Sequence, residues 1–169
     1  MTGAETVSGA VARSRVEIDP AAMRAVADTV EAAYPGEGCG LLLGRIVDGA
    51  AVIERAAASV NLAPDPLRAF EIDPGLRLRS QREARAGGLA VIGLYHGHPD
   101  MAASPSAADL AGAWEAGLVW MILRVEDGQM IEARCWQLAA DGSCFVERPW
   151  SVGRGRAVAY GPPRAVEPG

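Results

Sequence analysis

Leu89-Ala90-Val91-Ile92-Gly93-Leu94-Tyr95-His96-Gly97-His98-Pro99-Asp100-Met101-Ala102-Ala103-Ser104-Pro105-Ser106-Ala107-Ala108-Asp109 is the stretch on which the reading of this chain turns. Its first seven residues are short and almost wholly apolar, the pattern of a central strand buried on both faces. Residues i and i+2 of a strand share a face, so His96 and His98 leave the end of that strand side by side. Ser104-Pro105 then reads as a helix start, with Asp109, Leu110, Ala113 and Trp114 in the helix. Residues i and i+3 of a helix adjoin, which places Ser106 beside Asp109 at the helix N-terminus.

Two imidazoles and one carboxylate make a three-ligand set of the kind catalytic zinc uses, with the fourth position open to water. Zinc lowers the pKa of such a water toward neutrality, and a hydrolase then needs a base outside the ligand set. Glu37 suits that role: in Gly36-Glu37-Gly38-Cys39-Gly40 it begins an apolar strand, where a charge is odd for a core and apt for a cleft wall. Each piece also has a plainer reading. A histidine is more often a hydrogen-bonded core residue than a ligand, although His96 and His98 are the chain's only two. Ser106-Ala-Ala-Asp109 matches a capping box. Cys39 reads as a small buried hydrophobe. The pieces gain force together.

Outward from the histidines the pattern is regular. Asp19-Pro20 reads as N-cap and first-turn proline, followed by Met23, Val26, Val30 and Tyr34 at helical spacing, so residues 19–34 form an amphipathic helix. Cys39 to Leu43 is a buried strand and 50–59 a second one. An irregular stretch, Asn61-Leu-Ala-Pro-Asp-Pro, leads to Phe70-Glu-Ile, and Asp73-Pro74 starts a helix that stops at Gly87-Gly88. Residues 118–125 and 130–138 are strands joined by an Asp127-Gly128 hairpin turn, and Asp141-Gly142 turns into a last strand from Cys144. The expected fold class is α/β (α+β): helices flanking a mixed, largely antiparallel central sheet. Residues 1–14 read as disordered, 15–148 as one domain, and 149–169, rich in Gly, Pro and Arg, as a flexible tail.

Bulk composition narrows the function classes. The chain has 169 residues and is 50% hydrophobic, enough for one real core. A formal net charge of -5 argues against a dedicated nucleic-acid or anionic-membrane binder. Three cysteines without a CxxC pair make neither a disulfide framework nor a Cys-rich zinc site, and a zinc deaminase would need a Pro-Cys-x-x-Cys pair. No apolar run approaches a membrane span and no signal-peptide core is evident, so the expected location is the cytoplasm. All 16 basic residues are arginine, which genome composition explains most cheaply.

Glu37, then His96-x-His98, seven residues, Ser106, two residues and Asp109 resembles the motif of the JAMM (MPN-plus, JAB-domain) metalloproteases. Glu37-Gly-Cys-Gly-Leu-Leu-Leu-Gly44, the 61–74 stretch and Gly93-Leu-Tyr-His-Gly-His-Pro99 extend the likeness over roughly 15–148. It is most similar to compact bacterial members that process ubiquitin-like sulfur-carrier proteins. The resemblance implies a cytidine-deaminase-like fold and one Zn2+ held by His96, His98 and Asp109. It also implies Glu37 as general base and Ser106 as a donor to the tetrahedral oxyanion. The implied substrate is a β-grasp sulfur carrier cut at its C-terminal Gly-Gly, by peptide or isopeptide hydrolysis. The chain is short for the long insertions of eukaryotic deubiquitinating relatives. One departure is Gly97, where the family usually has Ser or Thr; strand alternation points that position away from the metal. Two further readings use the same residues: a two-His, one-carboxylate iron oxygenase, and a non-catalytic MPN-type scaffold. Exposed positions on the 19–34 helix leave room for a homodimer.

Overall fold

The computed structural model describes residues 15–153. Strand β1 (Val16–Ile18) leads into helix α1 (Pro20–Ala33), then β2 (Cys39–Val47) and β3 (Ala50–Ser59). Helix α2 (Pro74–Ala86) and β4 (Ala90–Pro99) follow, then the short α3 (Ala107–Gly112). The chain closes with β5 (Val119–Glu126), β6 (Gln129–Leu138), β7 (Phe145–Arg148) and β8 (Trp150–Val152). All eight strands join one sheet in the order β7-β6-β5-β4-β2-β3-β1-β8. The pairs β2–β3, β2–β4, β5–β6 and β6–β7 are antiparallel, while β4–β5, β1–β3 and β1–β8 are parallel. This is the mixed α+β architecture that the sequence pattern predicts.

Asp19 caps α1 through its carboxylate, which accepts from the backbone of Ala21 and Ala22. Met23, Val26 and Val30 form the buried stripe of that helix. They pack in one core with Val16, Ile18, Leu42, Ile53, Tyr95, Met121, Leu123, Val125 and Cys135, side chains drawn from β1 through β6. The sheet therefore curls around α1. Strands β7 and β8 pair at opposite ends of the strand order yet are separated only by Pro149. The carbonyl of Pro149 accepts from Val16 N at 2.9 Å, so one short segment ties β6 to β1 and closes the curl. On the reverse face α2 covers part of β2 and β4, where Ala84 meets Leu41 and Leu43.

Two sequence expectations shift. The ordered chain runs past 148, because Trp150–Val152 completes the sheet edge beside β1 and Ser151 is buried there. The helix after Ser106 is shorter than the pattern suggests: it stops at Gly112, and Ala113 and Trp114 lie beyond it, Trp114 at 82% exposure. The expected disordered ends, 1–14 and the part of the tail from 154 on, lie outside the described residues. Among the described residues no helix is long and apolar enough to cross a membrane.

Candidate metal centre

The end of β4 delivers both histidines to the face opposite α1. Tyr95 belongs to the core around α1, and a Cβ added at Gly97 would point at Val30 of that helix, so the intervening His96 and His98 must face the other way. Both rings are fully buried. Asp109 reaches them from α3. His96 Nε2 lies 3.1 Å from Asp109 Oδ1, His98 Nε2 lies 3.2 Å from Asp109 Oδ2, and the two Nε2 atoms are 2.9 Å apart.

The chemistry of this donor set fits a cation. His98 Nδ1 lies 2.8 Å from the carbonyl of Ala102, which can only accept, so Nδ1 carries a proton and Nε2 is the atom turned inward, free to act as a ligand once the ring is neutral. Around it stand a carboxylate oxygen of Asp109 and Nε2 of His96, three donor atoms that a cation would hold together. Ligand atoms arranged tetrahedrally about 2.0–2.1 Å from zinc lie roughly 3.3 Å from each other, close to the spacing found here. The three side chains are the group of His, Cys, Asp and Glu among the described residues that could hold a metal ion.

Asp109 is held in place by the capping box. Its Oδ2 accepts from Ser106 N at 2.7 Å and from Ser106 Oγ at 2.9 Å, while Ser106 Oγ accepts from Asp109 N at 3.1 Å. The capping reading and the ligand reading of Ser106-Ala-Ala-Asp109 are thus the same structure: the cap fixes one carboxylate oxygen and aims the other at His96. Burial penalises the Asp109 carboxylate, but its bonds to His96 and His98 outweigh that and hold its pKa well below the usual range. Burial, with a smaller push from the charge of His98, outweighs the bond and charge of Asp109 and drives His96 toward the neutral ring. For His98 burial acts the same way, yet the bonds to Asp109 and Ala102 prevail and raise its pKa.

Glu37 lines the same cleft as Ser106 and Asp109, a hollow of about 280 Å³ walled also by Phe70, Arg77, Trp114, Glu115 and Trp120. Its side chain is 6% exposed. Burial pushes its pKa up to about 7; the charge of His98 opposes that rise and the charge of Asp109 adds to it. A carboxyl poised near neutrality can both accept and return a proton. Cys39, by contrast, is a buried free thiol whose pKa burial lifts to about 11, which matches its reading as a small hydrophobe.

Comparison with known proteins decides the family. Residues 19–139 match the prokaryotic homologs of the JAB domain. The chain belongs to that family. Among curated relatives, a desampylase of Haloferax volcanii is 33% identical over 96 residues, 57% of this chain and 67% of its own length. A probable TtuB-protein conjugate cleaving protease of Thermus thermophilus is 35% identical over 79 residues, 47% of this chain and half of its own length. The solution structure of a Desulfitobacterium hafniense protein superposes with a TM-score of 0.72 at 25% identity, covering 86% of this chain and 98% of that one.

The JAB fold also brings in residues the sequence reading did not select. Phe70 stacks on His96 with ring centroids 4.1 Å apart and planes at 20°. Trp120 meets the same imidazole edge-on at 6.0 Å. His96 Nδ1 has no hydrogen-bond partner among the described residues, so this ring is oriented by packing where His98 is oriented by a carbonyl. Arg77 of α2 and Glu115 pair at the cleft wall. An aromatic in an irregular loop and a tryptophan in an apolar strand carry no motif of their own. Only the fold shows that they meet His96.

Proposed function

We propose that this chain is a zinc metallopeptidase that hydrolyses a peptide or isopeptide bond at the C-terminal Gly-Gly region of a ubiquitin-like sulfur-carrier protein. The observation that carries this reading is the convergence of His96 Nε2, His98 Nε2 and Asp109 within hydrogen-bonding distance of one another, in a cleft that also holds Glu37. A bound zinc ion would activate a water molecule and polarise the scissile carbonyl. Glu37 takes a proton from the attacking water and returns it to the leaving amine; its burial keeps the carboxyl basic enough for both transfers. Asp109, held by Ser106, supplies negative charge to the metal position. Ser106 donates to the substrate oxygen as charge develops there, by turning its hydroxyl away from Asp109 Oδ2. A glycine pair suits a cleft walled by Phe70, Trp114 and Trp120, because it brings no side chain to clash.

The relatives favour conjugates over linear extensions as the substrate. The Haloferax protein is a desampylase and the Thermus protein is described as cleaving TtuB-protein conjugates. A scaffold role fits less well, since the full ligand set and Glu37 are kept together. The test is incubation of the zinc-loaded protein with two substrates: a carrier isopeptide-linked to a lysine, and a carrier extended past its Gly-Gly by one or two residues. Intact mass reads the cleavage. Chelation and Glu37→Gln each abolish it; undiminished turnover by Glu37→Gln removes the assigned base, and iron in place of zinc in the purified protein favours the oxygenase.

A further inference from the structure

The loop 61–72 runs between β3 and α2 with almost no regular structure, yet it forms part of the cleft wall. One side chain organises it. Asn61 Nδ2 donates to the carbonyl of Glu37 and to the carbonyl of Ala69, both at 2.9 Å. Its Oδ1 accepts from Ala63 N and from Glu71 N, both at 3.0 Å. The full capacity of one amide, two donors and an acceptor taking two bonds, is satisfied, and the opposite flip would set its NH2 against two backbone N–H groups. Around it, Leu62 N bonds to Glu71 O at 2.9 Å, and Glu37 N bonds to Pro66 O at 2.7 Å. The same loop carries Phe70, which lies flat on His96.

We propose that Asn61 is a positioning residue for the reaction: its amide clamps the backbone of Glu37 to the loop that carries Phe70, and so sets the Glu37 carboxylate and the His96 ring in register. The proposal rests on the hydrolase reading above. Its physical basis is that Glu37 precedes β2 and sits outside the ladder. Both polar atoms of its own backbone are spent on the loop, Glu37 N on Pro66 O and Glu37 O on Asn61 Nδ2, while its neighbours are tied elsewhere, Gly36 N to Ala33 O of α1 at 2.8 Å and Gly38 O to Gly97 N of β4 at 2.9 Å. Removing the two Nδ2 bonds frees the Glu37 carbonyl and loosens the loop segment that carries Ala69 and Phe70. A displacement of about 1 Å at a general base costs on the order of a hundredfold in rate.

Asn61→Asp is the informative variant, because it keeps an oxygen for Ala63 and Glu71, deletes the donors to Glu37 and Ala69, and sets a carboxylate oxygen against those two carbonyls. In the zinc-loaded enzyme kcat falls on the order of tenfold to a hundredfold, with KM little changed, because substrate contacts are intact and the base is misplaced. In the metal-free protein, amide hydrogen exchange at Glu37 and Glu71 accelerates while β2 and β4 stay protected, and this readout does not depend on turnover. Asn61→Asp turning over like an active wild type overturns the proposal and leaves the hydrolase reading standing. So does a loss carried wholly by KM, or exchange rates that do not change. A wild-type protein that cleaves neither substrate overturns both. Should Asn61→Asp fold poorly, Asn61→Ala, which has no donor, enters the same exchange and kcat comparison, and retention of wild-type kcat by it rejects the clamp.

Discussion

A Cβ built on Gly97 would lie 3.1 Å from Cβ and 3.3 Å from Cγ1 of Val30. The position between the two histidines thus abuts the helix the sheet wraps, on the side away from the metal centre. A Cβ at Gly38, next to Glu37, would meet the Cα of the same Val30 at 2.9 Å, and Gly97 N bonds to Gly38 O at 2.9 Å. Two glycines on neighbouring backbone segments therefore let α1 seat directly behind the functional residues. Where the resembling family usually has serine or threonine, Val30 of α1 takes up the space a side chain at Gly97 would need.

That packing makes Gly97→Ser a test of the rear wall. The new side chain requires Val30 to yield by a few tenths of an ångström, and overpacking of this kind costs about 1–3 kcal/mol. Paired with Val30→Ala, which removes the Cγ1 contact and keeps the Cβ one, part of the added cost is relieved, a coupling of about 0.5–1 kcal/mol in a double-mutant cycle read by urea unfolding. Metal affinity of Gly97→Ser stays at the wild-type level, because the imidazoles face the other way. Strict additivity of the two substitutions would show that Val30 does not occupy that space.

Ser106→Ala separates the cap from the ligand. It removes the hydroxyl that accepts from Asp109 N and donates to Asp109 Oδ2. Loss of such a cap costs about 1 kcal/mol of stability. Release of an outer partner of a ligand typically weakens metal binding by about 10–100-fold. Chelator competition measures the affinity, and Ser106→Thr, which keeps the hydroxyl, recovers most of it. An alanine variant that binds metal as tightly as wild type shows that Asp109 is aimed by something other than its cap.

Metal loading is expected to raise thermal stability through the same three side chains. A ligand bound only by the native state at a thousand times its Kd contributes about 4 kcal/mol. Calorimetry with and without chelator shows the difference as a large rise in Tm for wild type and little or none for His96→Ala or Asp109→Asn. Equal shifts in wild type and Asp109→Asn would place the metal elsewhere.

The sequence was informative wherever one periodicity acted alone. The alternation through Tyr95-His96-Gly97-His98 and the i, i+3 spacing of Ser106 and Asp109 both survive in the structure, because strand and helix geometry are local. The closure of the sheet was not legible: Trp150–Val152 pairs with a strand more than 130 residues earlier, and its short Gly-, Pro- and Arg-flanked segment carries no pattern of its own. The end of α3 was misread because Ala113 and Trp114 keep helical spacing with Leu110, whereas the structure leaves Trp114 in solvent at the cleft wall. Asn61 and Phe70 were hidden for a related reason. Their partners are 24 and 26 residues away across a loop, and only the three-dimensional path of that loop brings them to Glu37 and His96.

Glu37→Gln should make the metal-free protein more stable at high pH, and the sign follows from burial. The native carboxyl holds its proton up to about pH 7, against an unperturbed value of 4.5. Between those values the native state binds more protons than the unfolded chain, so wild-type stability declines as pH rises from 4.5 to 7. Below the lower value both states are protonated and the group contributes nothing; above the upper value the full penalty of a buried charge is in place. Glutamine fills the same space without ionising. The variant therefore matches wild type near pH 4 and exceeds it above pH 7 by about 2–3 kcal/mol, which is several degrees in Tm. The measurement is a Tm series across this pH range on chelator-treated wild type and variant, so that no metal charge offsets the carboxylate. A gap that is constant with pH would mean that Glu37 titrates alike in the native and unfolded chain, and a gap that opens toward low pH would mean that its charge is stabilised in the fold, either of which removes its fitness as a base poised near neutrality.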